Sequence, residues 1–280
     1  MRVQALVLGT AQWGNPYGVT NDQGRLTDDG LVRTIEAARA AGIRALDTAP
    51  AYGDAESRLA PWASEFAITT KVLGAGERPI ADQFKASLMS LGVSSLHGCL
   101  LHDWPSLTKP QAAAAVRELR ALQEAEQVTA VGVSAYDDDD LARAIDAFGT
   151  VDVVQVPVNA LDRRLTRSRA LATIAEQGAQ IQARSVFLQG LLAARSTTPL
   201  GQHPDVVHFH DGCEEAGSNP IEVALGFVKA QPWVTHVVVG VTSAAELREI
   251  SEAWGSAPAI DAAAGEESHD LALIDPRQWA

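Results

Sequence analysis

The chain has 280 residues, 46% hydrophobic and 20% charged, with no polar tract or low-complexity repeat, so it can bury a sizeable core. A formal net charge of −13 repels phosphate backbones and anionic membrane surfaces, which excludes nucleic acid and lipid head groups as general partners. Cys99 and Cys213 lie far apart without metal-ligand spacing, so neither a disulfide nor a zinc framework is expected. No apolar stretch reaches membrane-span length and Met1 to Gly9 lacks a signal core, which makes the cytoplasm the expected location.

In chain order, short runs of β-branched and aliphatic residues alternate with longer amphipathic stretches. Val3–Gly9 reads as a strand, then Asp28–Ala41 as a helix, Arg44–Thr48 as a strand, Ala55–Ser64 as a helix and Phe66–Val72 as a strand. The alternation continues through helix Ile80–Leu91, strand Gly98–His102, helix Lys109–Glu126, strand Ala130–Ser134, helix Asp138–Phe148 and strand Val151–Pro157. It closes with helix Leu165–Gln177, strand Ala179–Ser185, helix Pro220–Gln231, strand His236–Val241 and helix Ser243–Trp254. Thr27, Asp137 and Ser243 stand where helix N-caps belong, and Gly42 stands where a helix ends.

Strands that are apolar throughout are covered on both faces, as in a parallel sheet with helical crossovers. The repeated unit predicts an α/β fold, a single-domain (β/α)8 TIM barrel spanning 1–280. An open doubly wound sheet has the same periodicity, but no Gly-x-Gly-x-x-Gly follows the first strand. The stretch about 190–219 is longer than the fold needs and reads as a lid-like loop, and the tail about 258–280 is expected to lie across a barrel end. His203, His208 and His210 in the long loop have no evident metal-binding partners, so no metal is expected.

Active sites in this fold sit at the carboxyl ends of the strands, and here those ends are polar in succession: Asp47, Lys71, His102, Ser134, Gln155, and Arg184 with Ser185. A lysine ending a barrel strand is costly unless a carboxylate compensates it, and Asp47 on the neighbouring strand supplies one. Taken singly, the ion pair is a structural bridge, Tyr52 a loop aromatic and His102 a satisfied strand-end histidine. Taken together, an ammonium that eases ionisation of a phenol, with an imidazole beside it, forms a set for proton transfer.

Gly9-Thr10-Ala11-Gln12-Trp13-Gly14, the run Asp47-Thr48-Ala49-Pro50-Ala51-Tyr52-Gly53, Thr70-Lys71, Leu101-His102, Gly132-Val133-Ser134, Gln155 with Asn159, and Arg184-Ser185-Val186-Phe187-Leu188-Gln189-Gly190 carry a resemblance. Through them the chain resembles the aldo-keto reductases over nearly the whole barrel, and the stretch from Gly9 to Gly18 with Asn21 is most similar to bacterial members near sugar and secondary-metabolite pathways. The resemblance implies an NAD(P)H-dependent oxidoreductase that reversibly reduces a small-molecule aldehyde, ketone or sugar-like carbonyl. Tyr52 would exchange the proton, Lys71 lower its pKa, Asp47 hold Lys71, and His102 orient and polarise the carbonyl.

For the cofactor, the resemblance implies Gly9, Thr10, Ser134, Gln155, Arg184, Ser185, Gly240, Thr242, Ser243 and Glu249. Ser134 and Gln155 would bind the carboxamide, and Arg184 stands where many relatives stack an aromatic ring on the nicotinamide. Trp13 and Trp104 match substrate-pocket positions, with ordinary core as the other reading. Ser134-Ala135 replaces the usual Ser-Asn, which removes one carboxamide contact. NADPH is the family majority, while Glu246 where relatives place an arginine opens NADH, and Ile250 replaces a residue that usually contacts adenine. Two other readings remain open in the sequence: a Schiff-base lyase or aldolase using Lys71, and a catalytically silent nucleotide-binding relative. Monomer and homo-oligomer are both open.

Overall fold

The computed structural model describes residues 5–259 and 265–279. Ala5–Gly9 forms β1 and runs directly into the single-turn helix α1, Ala11–Gly14. There follow α2 (Asp28–Ala40), β2 (Ala45–Asp47), α3 (Ala55–Leu59), β3 (Ala67–Val72), α4 (Ile80–Leu91), β4 (Leu96–Leu101), α5 (Lys109–Glu124), β5 (Val128–Ser134), α6 (Asp138–Phe148) and β6 (Val153–Pro157). The chain continues through α7 (Arg169–Glu176), β7 (Gln180–Arg184), α8 (Pro204–Glu215), α9 (Pro220–Lys229), β8 (His236–Gly240), α10 (Ala244–Ser256) and α11 (Leu271–Ile274).

Each strand pairs in parallel with its sequence neighbour, and β1 closes on β8 with Leu8 opposite Val239, so the eight strands form one closed barrel. Burial explains the composition: β6 is buried throughout, and Val131, Val133, Val154 and Ile181 are inaccessible to solvent. Thr27 accepts from the Gly30 amide, Asp137 from that of Asp140 and Ser243 from that of Glu246, which satisfies otherwise orphaned helix donors.

The first strand begins at Ala5, since Val3 and Gln4 lie outside the described residues. The helix expected over Ala55–Ser64 stops at Leu59 and tightens into a 3-10 segment, Ala60–Glu65, because Pro61 cannot donate to an α-helical ladder. The stretch about 190–219 is corrected more substantially, because it holds a 3-10 turn, Leu200–Gln202, and an α-helix, Pro204–Glu215, rather than loop throughout. Pro204 opens α8, His203 caps it by accepting from the Asp205 amide, and Val206, Phe209 and Cys213 turn inward. His210 shares a hydrogen bond of 2.8 Å with the Leu191 carbonyl, so two of the three loop histidines hold the backbone. No cluster of metal-ligating side chains occurs among the described residues.

The tail returns to the carboxyl end of the barrel, where Pro276 and Arg277 join the wall of the principal cavity. Residues 260–264 and 280 of that tail lie outside the described residues. No helix among the described residues is long and apolar enough to cross a membrane.

Candidate active site

At the carboxyl ends of β2 and β3, Asp47 and Lys71 are both buried, at 3% and 2% exposure. The Lys71 ammonium donates to Asp47 Oδ1 at 2.7 Å and Oδ2 at 2.6 Å, to the Thr48 carbonyl at 3.2 Å and to the Tyr52 hydroxyl at 3.1 Å. Burial alone would lower the lysine pKa, but Asp47 and Tyr52 outweigh it and the net shift is upward. This clamp opposes a Schiff-base role, which needs a neutral amine free to attack.

Tyr52 is delivered by a close backbone approach between α1 and the turn after β2. A Cβ on Gly14 would stand 1.8 Å from the Tyr52 carbonyl oxygen, and one on Gly53 would stand 2.6 Å from that of Gly14. Gly53 also takes a φ of +64°, which L side chains rarely adopt. Asn15 Nδ2 donates to the Ala51 carbonyl at 3.1 Å and ties the same two segments.

Lys71 lowers the Tyr52 pKa as expected, but other causes outweigh it. Burial raises it most; Lys71 pulls it down, Asp47 pushes it up again, and the balance lies above the ordinary phenol value. Tyr52 is therefore a protonated donor at neutral pH. The His102 ring meets the Tyr52 ring edge to face at 6.2 Å between centroids. Burial, with Lys71 adding to it, lowers the His102 pKa to about 4, so the imidazole is neutral.

These groups open onto a cavity of about 530 Å³ at the carboxyl end of the barrel. Of the expected cofactor residues, Gly9, Thr10, Ser134, Gln155, Arg184, Ser185, Gly240 and Thr242 line it. Gln155 Nε2 donates to Asp47 Oδ1 at 2.8 Å and to Gln182 at 2.9 Å, which commits its amide protons and leaves its oxygen as the acceptor. Asn159 Nδ2 donates to the Ser185 carbonyl at 3.0 Å, and Ser185, Leu188 and Gln189 all take positive φ, so the wall after β7 is a strained turn held by a side chain.

Four expectations fall elsewhere. Trp13 and Trp104 are fully buried and do not line the cavity. Trp104 turns outward, donating from its indole nitrogen to the Asp140 carbonyl at 2.8 Å and packing near Phe148. Ser243 is occupied as the cap of α10, and Glu249 is exposed on the outer face of that helix, off the cavity. Ile250 beside it is core.

Glu246 has a part that charge alone does not reveal. Its carboxylate accepts from the Thr242 amide at 2.6 Å and the Thr242 hydroxyl at 2.9 Å, while its own amide donates to Ser243 Oγ at 3.1 Å. These bonds fill the amino end of α10 with a carboxylate at the edge of the cavity.

The sequence reading also missed Tyr17, Tyr136 and Arg277, all on the cavity wall. Tyr136 lies two residues beyond β5, so the strand-end argument that selected His102 would have selected it. Arg277, far along the tail, carries no such signal.

The Aldo/keto reductase family model matches residues 5–262, and the chain belongs to that family. It is similar to aldo-keto reductases of Mycobacterium sp. strains JLS and KMS, at 32% and 31% identity over 174 residues, which is 59% of this chain. The chain spans 62% of the length of these curated relatives in those matches. Among solved structures, an aldo-keto reductase from Bacillus halodurans in its holo form superposes with a TM-score of 0.73 at 17% identity, covering 90% of this chain and 87% of that one. A glycerol dehydrogenase from Gluconobacter oxydans gives 0.69 at 23% identity, covering 97% and 92%, and both likenesses concern the fold.

Proposed function

We propose that the chain is an NAD(P)H-dependent reductase of a small-molecule aldehyde, ketone or sugar-like carbonyl, acting reversibly with Tyr52 as the general acid and base. The observation that carries this reading is the buried Lys71 ammonium at 3.1 Å from the Tyr52 hydroxyl, balanced by Asp47, with Tyr52 and His102 on the wall of one cavity. When bound, the nicotinamide supplies the hydride.

The residues present fit that group. The Gln155 oxygen and the Ser134 hydroxyl would take the carboxamide, and Arg184 and Ser185 border the same part of the cavity. Protonated Tyr52 donates its hydrogen to the carbonyl oxygen in reduction. As negative charge grows on the phenol, the Lys71 ammonium stabilises it in a site with little water to do so, and Asp47 keeps the ammonium aimed. Neutral His102 offers an N–H to the same carbonyl oxygen and fixes its approach.

For the nucleotide, the Glu246 carboxylate at the amino end of α10 supports NADH as the better partner. A 2′-phosphate seated there would meet a like charge on donors already committed. Titrating NADH and NADPH by nicotinamide fluorescence, followed by an aldehyde, ketone and sugar panel, tests the proposal. Binding of neither nucleotide would refute it.

A further inference from the structure

Arg184 ends β7 with a half-buried guanidinium on the cavity wall and no carboxylate within salt-bridge distance among the described residues. Its hydrogen bonds are long, 3.4 Å to Ser185 Oγ and 3.3 Å to the Ala135 carbonyl. Well-made bonds from a charged N–H are shorter and stronger, and arginine has five such donors, so this one is underused.

The group is nevertheless held in place. Its guanidinium carbon lies 4.1 Å from the centroid of the Tyr136 ring, and that of Arg277 lies 3.9 Å from the same centroid. Arg277 is neutralised by Asp275, with Nε–Oδ1 at 2.9 Å and Nη2–Oδ2 at 2.5 Å, and Asp275 also meets Arg164 at 3.6 Å. The tail thus braces Tyr136, and Tyr136 carries Arg184, whose charge alone in this stack lacks a counterion.

The Ala135 contact and the Tyr136 stack lean Arg184 toward the end of β5, and its field reaches Tyr52 and His102. We propose that the cavity selects carbonyl substrates that carry a carboxylate, bound by the Arg184 guanidinium on its Tyr136 platform. A planar fork matches a carboxylate in two parallel bonds, and one uncompensated charge balances a monoanion.

The substrate class rests on the reductase reading, and the test separates the two. Steady-state kcat/KM is measured for 4-formylbenzoate and 4-formylbenzamide, which differ in charge at nearly constant size. The carboxylate is expected to be preferred at least about ten-fold, the scale of one charge-assisted contact. In Arg184→Met the preference falls to parity; comparing two substrates within one variant cancels any effect on the nucleotide. Arg184→Lys, which keeps the charge and loses the fork, falls between and stands in if the methionine variant does not fold.

Parity in the unmodified protein, or a preference unmoved by Arg184→Met, overturns the proposal. If neither aldehyde is turned over, calorimetric binding of the same two compounds to the chain decides this inference alone, and the nucleotide titration decides the reductase reading. Tighter binding of 4-formylbenzoate that Arg184→Met abolishes supports it, and equal binding of the two compounds overturns it.

Discussion

Asp47 grips the ammonium of Lys71 with both carboxylate oxygens, at 2.7 and 2.6 Å, where neither residue meets appreciable solvent. Such a pair has surrendered the hydration of two ions, and its stability depends on each partner staying in place. Asp47→Asn leaves a buried charge whose remaining neighbours are neutral, and the expected loss is about 3–5 kcal/mol of unfolding free energy. Lys71 has its pKa raised on folding, so its contribution is present below the unfolded lysine value and is lost as pH rises through the folded one. Without Asp47 the desolvation that lowers the pKa prevails, and the deficit should shrink as pH rises. Denaturant melts of both proteins across the alkaline range check this.

In the proposed mechanism the titrations of Tyr52 and His102 set the pH dependence of catalysis. Reduction needs Tyr52 protonated and His102 neutral, conditions met from just above the His102 value of about 4 to beyond the ordinary phenol value. The expected kcat/KM for reduction is therefore flat across the neutral range, whereas oxidation, which needs the phenolate, climbs steadily into alkali. His102 has a depressed folded pKa, so as pH falls from 6.5 toward 4 the unfolded chain takes up a proton that the folded one refuses, and stability declines. His102→Asn is expected to lose less stability over that interval, as acid-range melts would register.

In the proposed reading, the Glu246 carboxylate disfavours the nucleotide that carries the extra phosphate. Glu246→Gln keeps an oxygen for the Thr242 amide and removes the charge. The ratio of NADPH to NADH affinity is expected to rise about ten-fold, equivalent to ~1.4 kcal/mol. Dissociation constants from nicotinamide fluorescence provide the readout without reference to turnover.

Gly14 acts on Tyr52 through the backbone. An alanine there meets the Tyr52 carbonyl, the Asp54 amide and the Ala55 amide, none of which can rotate away. Gly14→Ala should shift the turn that carries the phenol and cut kcat about a hundred-fold, as ångström-scale misplacement of a reacting group does. Nucleotide affinity, drawn mainly from residues on β5 to β8, should change less than kcat, so kinetics and fluorescence titration together check the effect.

The barrel was legible because eight apolar strands of one polarity, each followed by an amphipathic stretch, admit few closures. The residues later found together around Lys71 were legible for a related reason: a charge ending a buried strand demands a partner, and Asp47 was the available one. Ser243 was legible as a helix cap, whereas the bonds of the Glu246 carboxylate to Thr242 were not, because only its charge shows in the sequence. What stayed hidden depends on side-chain direction. Whether Trp104 points into the cavity or out toward α6 turns on packing that periodicity at a strand end does not encode. The order within about 190–219 was obscured by polar and histidine-rich composition that in fact caps and anchors a helix. Arg277 reaches the cavity through a long-range stack on Tyr136, a contact with no local sequence signal.

The central claim, that Tyr52 transfers the proton, is tested most directly by single-turnover mixing of nucleotide-loaded Tyr52→Phe with an aldehyde that the unmodified protein reduces, followed by nicotinamide absorbance. The expected result is a fall in hydride-transfer rate of about a hundred-fold or more, with nucleotide affinity unchanged. A rate within about ten-fold of the unmodified protein would assign the proton to another group and contradict the account.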